Sequence, residues 1–176
     1  IFSMIYFKMD TIILSLFRTQ SEVGIYGSSY RLVEVLNALP ILFIGLVLPL
    51  LNESWAIKNL ERFKRILQKS FDFLIMFIVP MIVGGFILSK KIMLLVAGLK
   101  FIEAGPVFSV LIFAVGFLFL GQLFGHTVIA IRKQKTMMWW YLVTAVIGIV
   151  GYLIFIPKYS YYGAAGMTVL TAVSYT

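Results

Sequence analysis

Between Glu34 and Glu53 the chain carries no charged residue. A run of that length, wound as an α-helix, crosses most of a hydrocarbon core about 30 Å thick. The stretch around it predicts a membrane-spanning helix over 28–53. Its start is aromatic, small and polar (Tyr26, Gly27, Ser28, Ser29, Tyr30), and Arg31 and Glu34 follow one helical turn apart. Charges at membrane depth face a bundle interior or a wet cavity, so this helix is expected to be polar on one flank near its start and apolar elsewhere. Pro40 removes one backbone hydrogen bond inside it and predicts a kink near 36–38.

The same apolar signature recurs. Further spans are expected over 1–17, 71–89, 104–131, 137–157 and 161–176, giving an all-α integral membrane protein built as a six-helix transmembrane bundle in one domain, 1–176. The chain is 61% hydrophobic and only 12% charged, against roughly 25% charged for a soluble domain. Its ends fall inside apolar runs, so the sequence is expected to be a piece of a longer polytopic protein. With no cysteine, a disulfide framework, a cysteine metal site and a thiol nucleophile are excluded. The net charge of +8 is explained by the excess of lysine and arginine in cytoplasmic membrane loops, and no nucleic-acid partner is called for. No metal site and no cofactor is expected. A Gly-rich phosphate loop of the kind ATP-driven pumps carry does not occur.

Taken in order, the first segment holds Lys8 and Asp10 where an ordinary anchor has leucine. Each such charge at a helix centre costs about 2.5–3.5 kcal/mol. Asp10 either lines a polar cavity, as a site for a coupling proton or sodium ion, or makes a packed polar contact between helices. Residues 18–30, with Arg18, Glu22, Gly24 and Gly27, read as a short loop. Residues 56–70 place Ile57, Leu60, Phe63 and Leu67 on one face and five basic residues around the rest, the pattern of an amphipathic helix lying on the cytoplasmic membrane surface. In the run from 104 to 131, Gly121 and Gly125 have the spacing that lets helices approach closely. Gln122 and His126 lie four residues apart on one face, either as a substrate or proton-relay pair or bonded locally. Trp139, Trp140 and Tyr141 form an interfacial belt. The loops rich in Lys and Arg, around 58–69 and 132–135, are assigned to the cytoplasm, although Lys90, Lys91 and Lys100 on the other side strain that rule.

Several short motifs in this order resemble a known family: VGIYGSSYRLVEVLNALP, LVLPLL, a basic linker, GLKFIEAGPVFSVL, IRKQK and IPKYSYYGAAG. Together they are similar to the polysaccharide-exporter branch of the multidrug, oligosaccharidyl-lipid, polysaccharide (MOP) superfamily, the repeat-unit flippases. The likeness runs over essentially the whole chain. It implies a MATE-like transporter of twelve to fourteen helices in two lobes of six, of which this chain resembles the second. Ser160 stands where the commoner order has glycine.

What the resemblance implies is a flippase in the cell's inner, cytoplasmic membrane. It moves a lipid-linked oligosaccharide on a polyprenyl-pyrophosphate carrier by alternating access, with the first lobe of the same chain as partner and membrane lipid as solvent. A polar path is then required, since each unsheltered polar group in lipid costs several kcal/mol. Arg18 and Arg31 are the candidates for phosphate, because guanidinium stays charged and bonds phosphate oxygens in pairs. Glu34, Asn37, Gln122 and His126 are the remaining cavity candidates, with Asp10 for the coupling cation. A cation-coupled multidrug or metabolite exporter of the same superfamily is the alternative. A membrane-embedded glycan polymerase or ligase fits less well, because every loop is short. No catalytic residue is assigned.

Overall fold

A computed structural model describes residues 2–176, with side chains from Asp10 onward except that of Tyr175. The side chain of Lys8 lies outside the described residues. Five α-helices follow one another: α1 (Phe2–Phe17), α2 (Gln20–Ala56), α3 (Leu60–Ala97), α4 (Gly105–Ala130) and α5 (Gln134–Tyr175), with a 3-10 turn, Leu99–Ala104, between α3 and α4. Four helical stretches are long and apolar enough to cross a membrane: 20–56, 60–97, 99–130 and 134–174. The chain is an all-helical, multi-pass membrane protein.

Helix α4 is the centre of the bundle. Half of its most apolar window is buried within the protein, against 17–28% for the other three. Val107, Phe108, Leu111, Ile112, Val115 and Phe119 fill the interior, where they meet Leu74 and Ile78 of α3 and Val33 and Ile44 of α2. The outward apolar residues, such as Leu42 and Leu46 of α2 and Ile87 and Leu95 of α3, are more than two-thirds exposed. That inversion of the soluble pattern suits a protein whose solvent is lipid.

Two boundaries depart from the sequence reading. The expected loop over 18–30 is helical from Gln20, because Thr19 and Glu22 form a capping box: the Thr19 hydroxyl accepts from the Glu22 amide, and the Glu22 carboxylate accepts from the Thr19 amide. Two N-terminal donors are thereby satisfied at once. Helix α2 then runs unbroken through Pro40 and Pro49.

The basic stretch 56–70 is not a separate surface helix. It is the beginning of α3, capped at Asn59, whose side chain accepts from the Arg62 amide. Nothing interrupts the helix at Ser70, whose hydroxyl bonds back to the Ile66 carbonyl inside it. The apolar side of this stretch packs on protein: Phe63 and Leu67 join Val47, Leu51 and Trp55 of α2 and Ala130 of α4. At 1.5 Å per residue α3 is about 57 Å long, so its basic first turns project well past a hydrocarbon slab.

A further feature lies inside α5, where the sequence reading left 158–160 between two spans. Ser160 has φ 53° and ψ −136°, which breaks the helix between two arms, 134–159 and 161–175. Gly151 lies against Met167, Phe155 against Gly163, and Tyr152 bonds Thr168. Such pairs, converging on one point of the chain, make the arms an antiparallel hairpin. A Cβ on Gly163 would strike the carbonyl of Phe155, so only glycine lets the arms close here. Close approach of α5 to α4 is also seen at Gly125, beside the Tyr141 hydroxyl.

Candidate functional site

Asp10 is 3% exposed, inside the bundle. Its Oδ1 accepts from the amide and hydroxyl of Thr11, and its Oδ2 accepts from the phenol of Tyr26, itself fully buried on α2. The Tyr26 oxygen lies 3.1 Å from Thr168 Oγ1, which lies 3.1 Å from the Tyr152 oxygen and 3.0 Å from the Ala164 carbonyl. One chain of polar atoms thus joins α1, α2 and both arms of α5. Of the two readings of Asp10, the packed contact between helices is what the structure displays, and a wider network surrounds it than the sequence suggested.

Counting protons shows what this arrangement can do. A phenol and a hydroxyl each carry one hydrogen. With Asp10 ionised, Tyr26 donates to it, Thr168 donates to Tyr26, and Tyr152 donates to Thr168. With Asp10 protonated, the carboxyl donates to Tyr26, Tyr26 to Thr168, and Thr168 to the Ala164 carbonyl. Both states are satisfied without displacing a heavy atom, so the hydrogen bonds close with or without a proton on Asp10. Buried polar groups that lack such partners cost several kcal/mol.

Arg18 reaches the backbone at the end of the first arm of α5. Its Nη2 donates to the Pro157 carbonyl at 2.7 Å and reaches the Ile156 carbonyl at 3.5 Å. Both acceptors lie in the last turn before the break at Ser160. Glu22 completes the clasp by accepting from the Ser160 hydroxyl at 2.7 Å. One Arg18 donor, Nε, is buried with no partner among the described residues.

Arg31 and Glu34 are both exposed, and although one helical turn apart they form no ion pair with each other. Among the described residues the one salt bridge is Arg62–Glu53. With half-buried Asn37 they rise along one flank of α2, at spacings of three residues. The Oδ1 of Asn37 is buried and finds no donor among the described residues. Tyr30 borders the same flank and stacks on Tyr26 with ring centroids 5.7 Å apart, which connects the exposed stripe to the buried network. His126 is bonded locally: its Nδ1–H donates to the Gln122 carbonyl at 2.8 Å, so the two do not act as a side-chain pair.

The sequence reading found Asp10 but not its partners. Tyr26 was read only as part of the polar, aromatic entry ahead of the 28–53 span. Thr168 and Tyr152 were not singled out, because their role depends on the α5 hairpin. The Thr19-Glu22 spacing is a capping signal that the reading of 18–30 as a loop passed over. No group of acidic or histidine side chains fit to hold a metal occurs among the described residues. No family model, curated protein or solved structure matches the chain.

Proposed function

We propose that the chain is a lobe of a polytopic transporter that moves a lipid-linked oligosaccharide across the cytoplasmic membrane. The observation that carries this reading is the flank of α2. Inside a stretch of otherwise apolar helix, Arg31 and Glu34 are exposed and unpaired with each other, and Asn37 keeps a buried oxygen without a donor. Leaving a buried acceptor unmet costs about 1–3 kcal/mol, which a ligand hydroxyl recovers on binding. Guanidinium, carboxylate and amide in a row suit a sugar with a phosphate, and the apolar surfaces beside them suit its lipid.

The α5 hairpin supports counting six membrane-crossing rods, as the second lobe of a MATE-like transporter has. The first lobe then supplies the opposite wall of the cavity, since alternating access needs one bundle to rock against another. The Asp10 network supports coupling to a proton, because it accommodates both protonation states. A second reading, a cation-coupled exporter of small molecules, draws on the same network and on the exposed carboxylate of Glu34.

Arg31→Lys tests the proposal. Lysine keeps the charge but loses the planar fork that binds phosphate oxygens in pairs. Glycan export by cells carrying the variant, with membrane abundance measured in parallel, is expected to fall roughly tenfold or more, the loss of one good charged hydrogen bond. Full export at normal abundance removes Arg31 from a phosphate site and favours the small-molecule reading.

A further inference from the structure

The turn between α2 and α3 and the turn between α4 and α5 are copies of one another. Each reads alanine, isoleucine, basic residue: Ala56-Ile57-Lys58 and Ala130-Ile131-Arg132. In the first, the Lys58 amide bonds the Trp55 carbonyl and the Asn59 amide bonds the Ser54 carbonyl; in the second, Arg132 bonds Ile129 and Lys133 bonds Val128. Both are Schellman turns, and the residue after the cap is left-handed, at φ 57° in Lys58 and 59° in Arg132. That position belongs by preference to glycine, because a Cβ there is strained. Here both copies carry a cation instead. Favourable interaction with the helix dipole does not require it, since a basic residue in the last helical turn gains as much without strain.

What the strain achieves is convergence. Lys58 and Arg132 line one open cavity of about 1100 Å³, together with Trp55, Asn52 and Ile129. The acid on its wall, Glu53, is neutralised by a two-pronged bond from Arg62 at 3.0 and 3.1 Å. Neither Lys58 nor Arg132 has an ion pair among the described residues. Around the rim, Ile57 is 58% and Leu60 55% exposed, an apolar border to a cationic hollow.

We infer that this cavity is a binding site for the phosphate-bearing headgroup of an anionic phospholipid, with the acyl chains against the apolar rim. The two cations recognise the phosphate. The apolar border, at the end of membrane-crossing helices, selects a lipid over a soluble phosphate.

The test uses the full chain in nanodiscs of phosphatidylcholine with increasing phosphatidylglycerol, and counts retained phosphatidylglycerol by native mass spectrometry. The pair Lys58→Gly and Arg132→Gly removes both charges and relaxes both backbones, so the protein is expected to fold at least as well. Affinity for phosphatidylglycerol is expected to drop about twentyfold or more, roughly fivefold for each cation. Lys58→Asn with Arg132→Asn, whose side chain tolerates the left-handed region, is expected to repeat the loss. Removing Lys64 and Arg65, exposed on α3 outside the cavity, as Gln is expected to cost clearly less. Retention of affinity by both cavity pairs overturns the inference. An equal loss from the Lys64 and Arg65 pair also overturns it, by showing diffuse surface attraction. Displacement of the bound lipid by an equal concentration of glycerol phosphate overturns the lipid assignment.

Discussion

Ser160 illustrates how one side chain can hold a backbone in a shape it disfavours. Its positive φ is strained for any residue but glycine, at about 1–3 kcal/mol, and its hydroxyl offsets that cost by donating to Glu22. The two contributions are separable. Ser160→Gly removes the strain and the bond together and is expected to leave thermal stability nearly unchanged, whereas Ser160→Ala keeps the strain and loses the bond. The alanine variant is expected to be less stable than the glycine variant by about 1–3 kcal/mol, read from melting in detergent; equal melting temperatures contradict this account of the bend. Asp10 permits a similar separation. Asparagine keeps its oxygen for Thr11 and donates its amide to the Tyr26 oxygen, as the protonated carboxyl does, so Asp10→Asn is expected to preserve abundance and melting temperature while abolishing transport driven by a proton gradient. Tyr26→Phe leaves the carboxylate short of its donor and is expected to destabilise by about 1–3 kcal/mol. A fully gradient-driven Asp10→Asn protein removes the carboxylate from coupling and leaves it a purely structural contact.

At the scale of elements, what the sequence revealed depended on how local the cause was. The apolar runs, each set by its own residues, gave the helical class and the membrane assignment directly. Helix ends were less legible: the basic residues of 56–70 resemble a surface helix, yet whether Phe63 and Leu67 face lipid or Trp55 depends on where α2 and α4 end. The polar network was the least legible part, because Asp10 and Thr168 are brought together only once α5 has folded back on itself. That fold-back rests on Gly163. Any Cβ there meets the carbonyl of Phe155, which belongs to the backbone and cannot swing away. Gly163→Ala is therefore expected to spread the arms, cost about 1–3 kcal/mol in the manner of an overpacked core, and break the Tyr152–Thr168 contact. Melting measurements beside Gly166→Ala, where a Cβ finds nothing within 4 Å, distinguish a steric effect from loss of glycine as such: equal effects at both sites refute close packing as the cause.

For the whole molecule, charge is distributed unequally between the two ends of the bundle. One end gathers the α2–α3 and α4–α5 turns, with Lys58, Arg62, Lys64, Arg65, Lys69, Arg132, Lys133 and Lys135 against Glu53 and Glu61. The other gathers the α1–α2 turn, the 3-10 turn and the α5 bend, where Arg18, Lys90, Lys91, Lys100 and Lys158 stand against Glu22 and Glu103. Short membrane loops rich in lysine and arginine stay in the cytoplasm, and the imbalance, rather than net charge alone, decides orientation. The first end is the richer, so it is expected on the cytoplasmic side, even though the other is also basic. That the start of α3 continues the helix, instead of lying on the surface, leaves this assignment intact: Lys64 still projects beyond the apolar span on the same side as Arg132. Tyr161, just past the bend, belongs to the opposite end. Cysteines placed singly at Lys64 and Tyr161, in a chain with no native cysteine, are expected to react with a membrane-impermeant maleimide from opposite sides, Tyr161 in intact cells and Lys64 only after the membrane is opened. Labelling of both from outside contradicts the up-and-down course of the helices, and labelling of Lys64 alone from outside inverts the bundle and moves the cationic cavity to the outer leaflet.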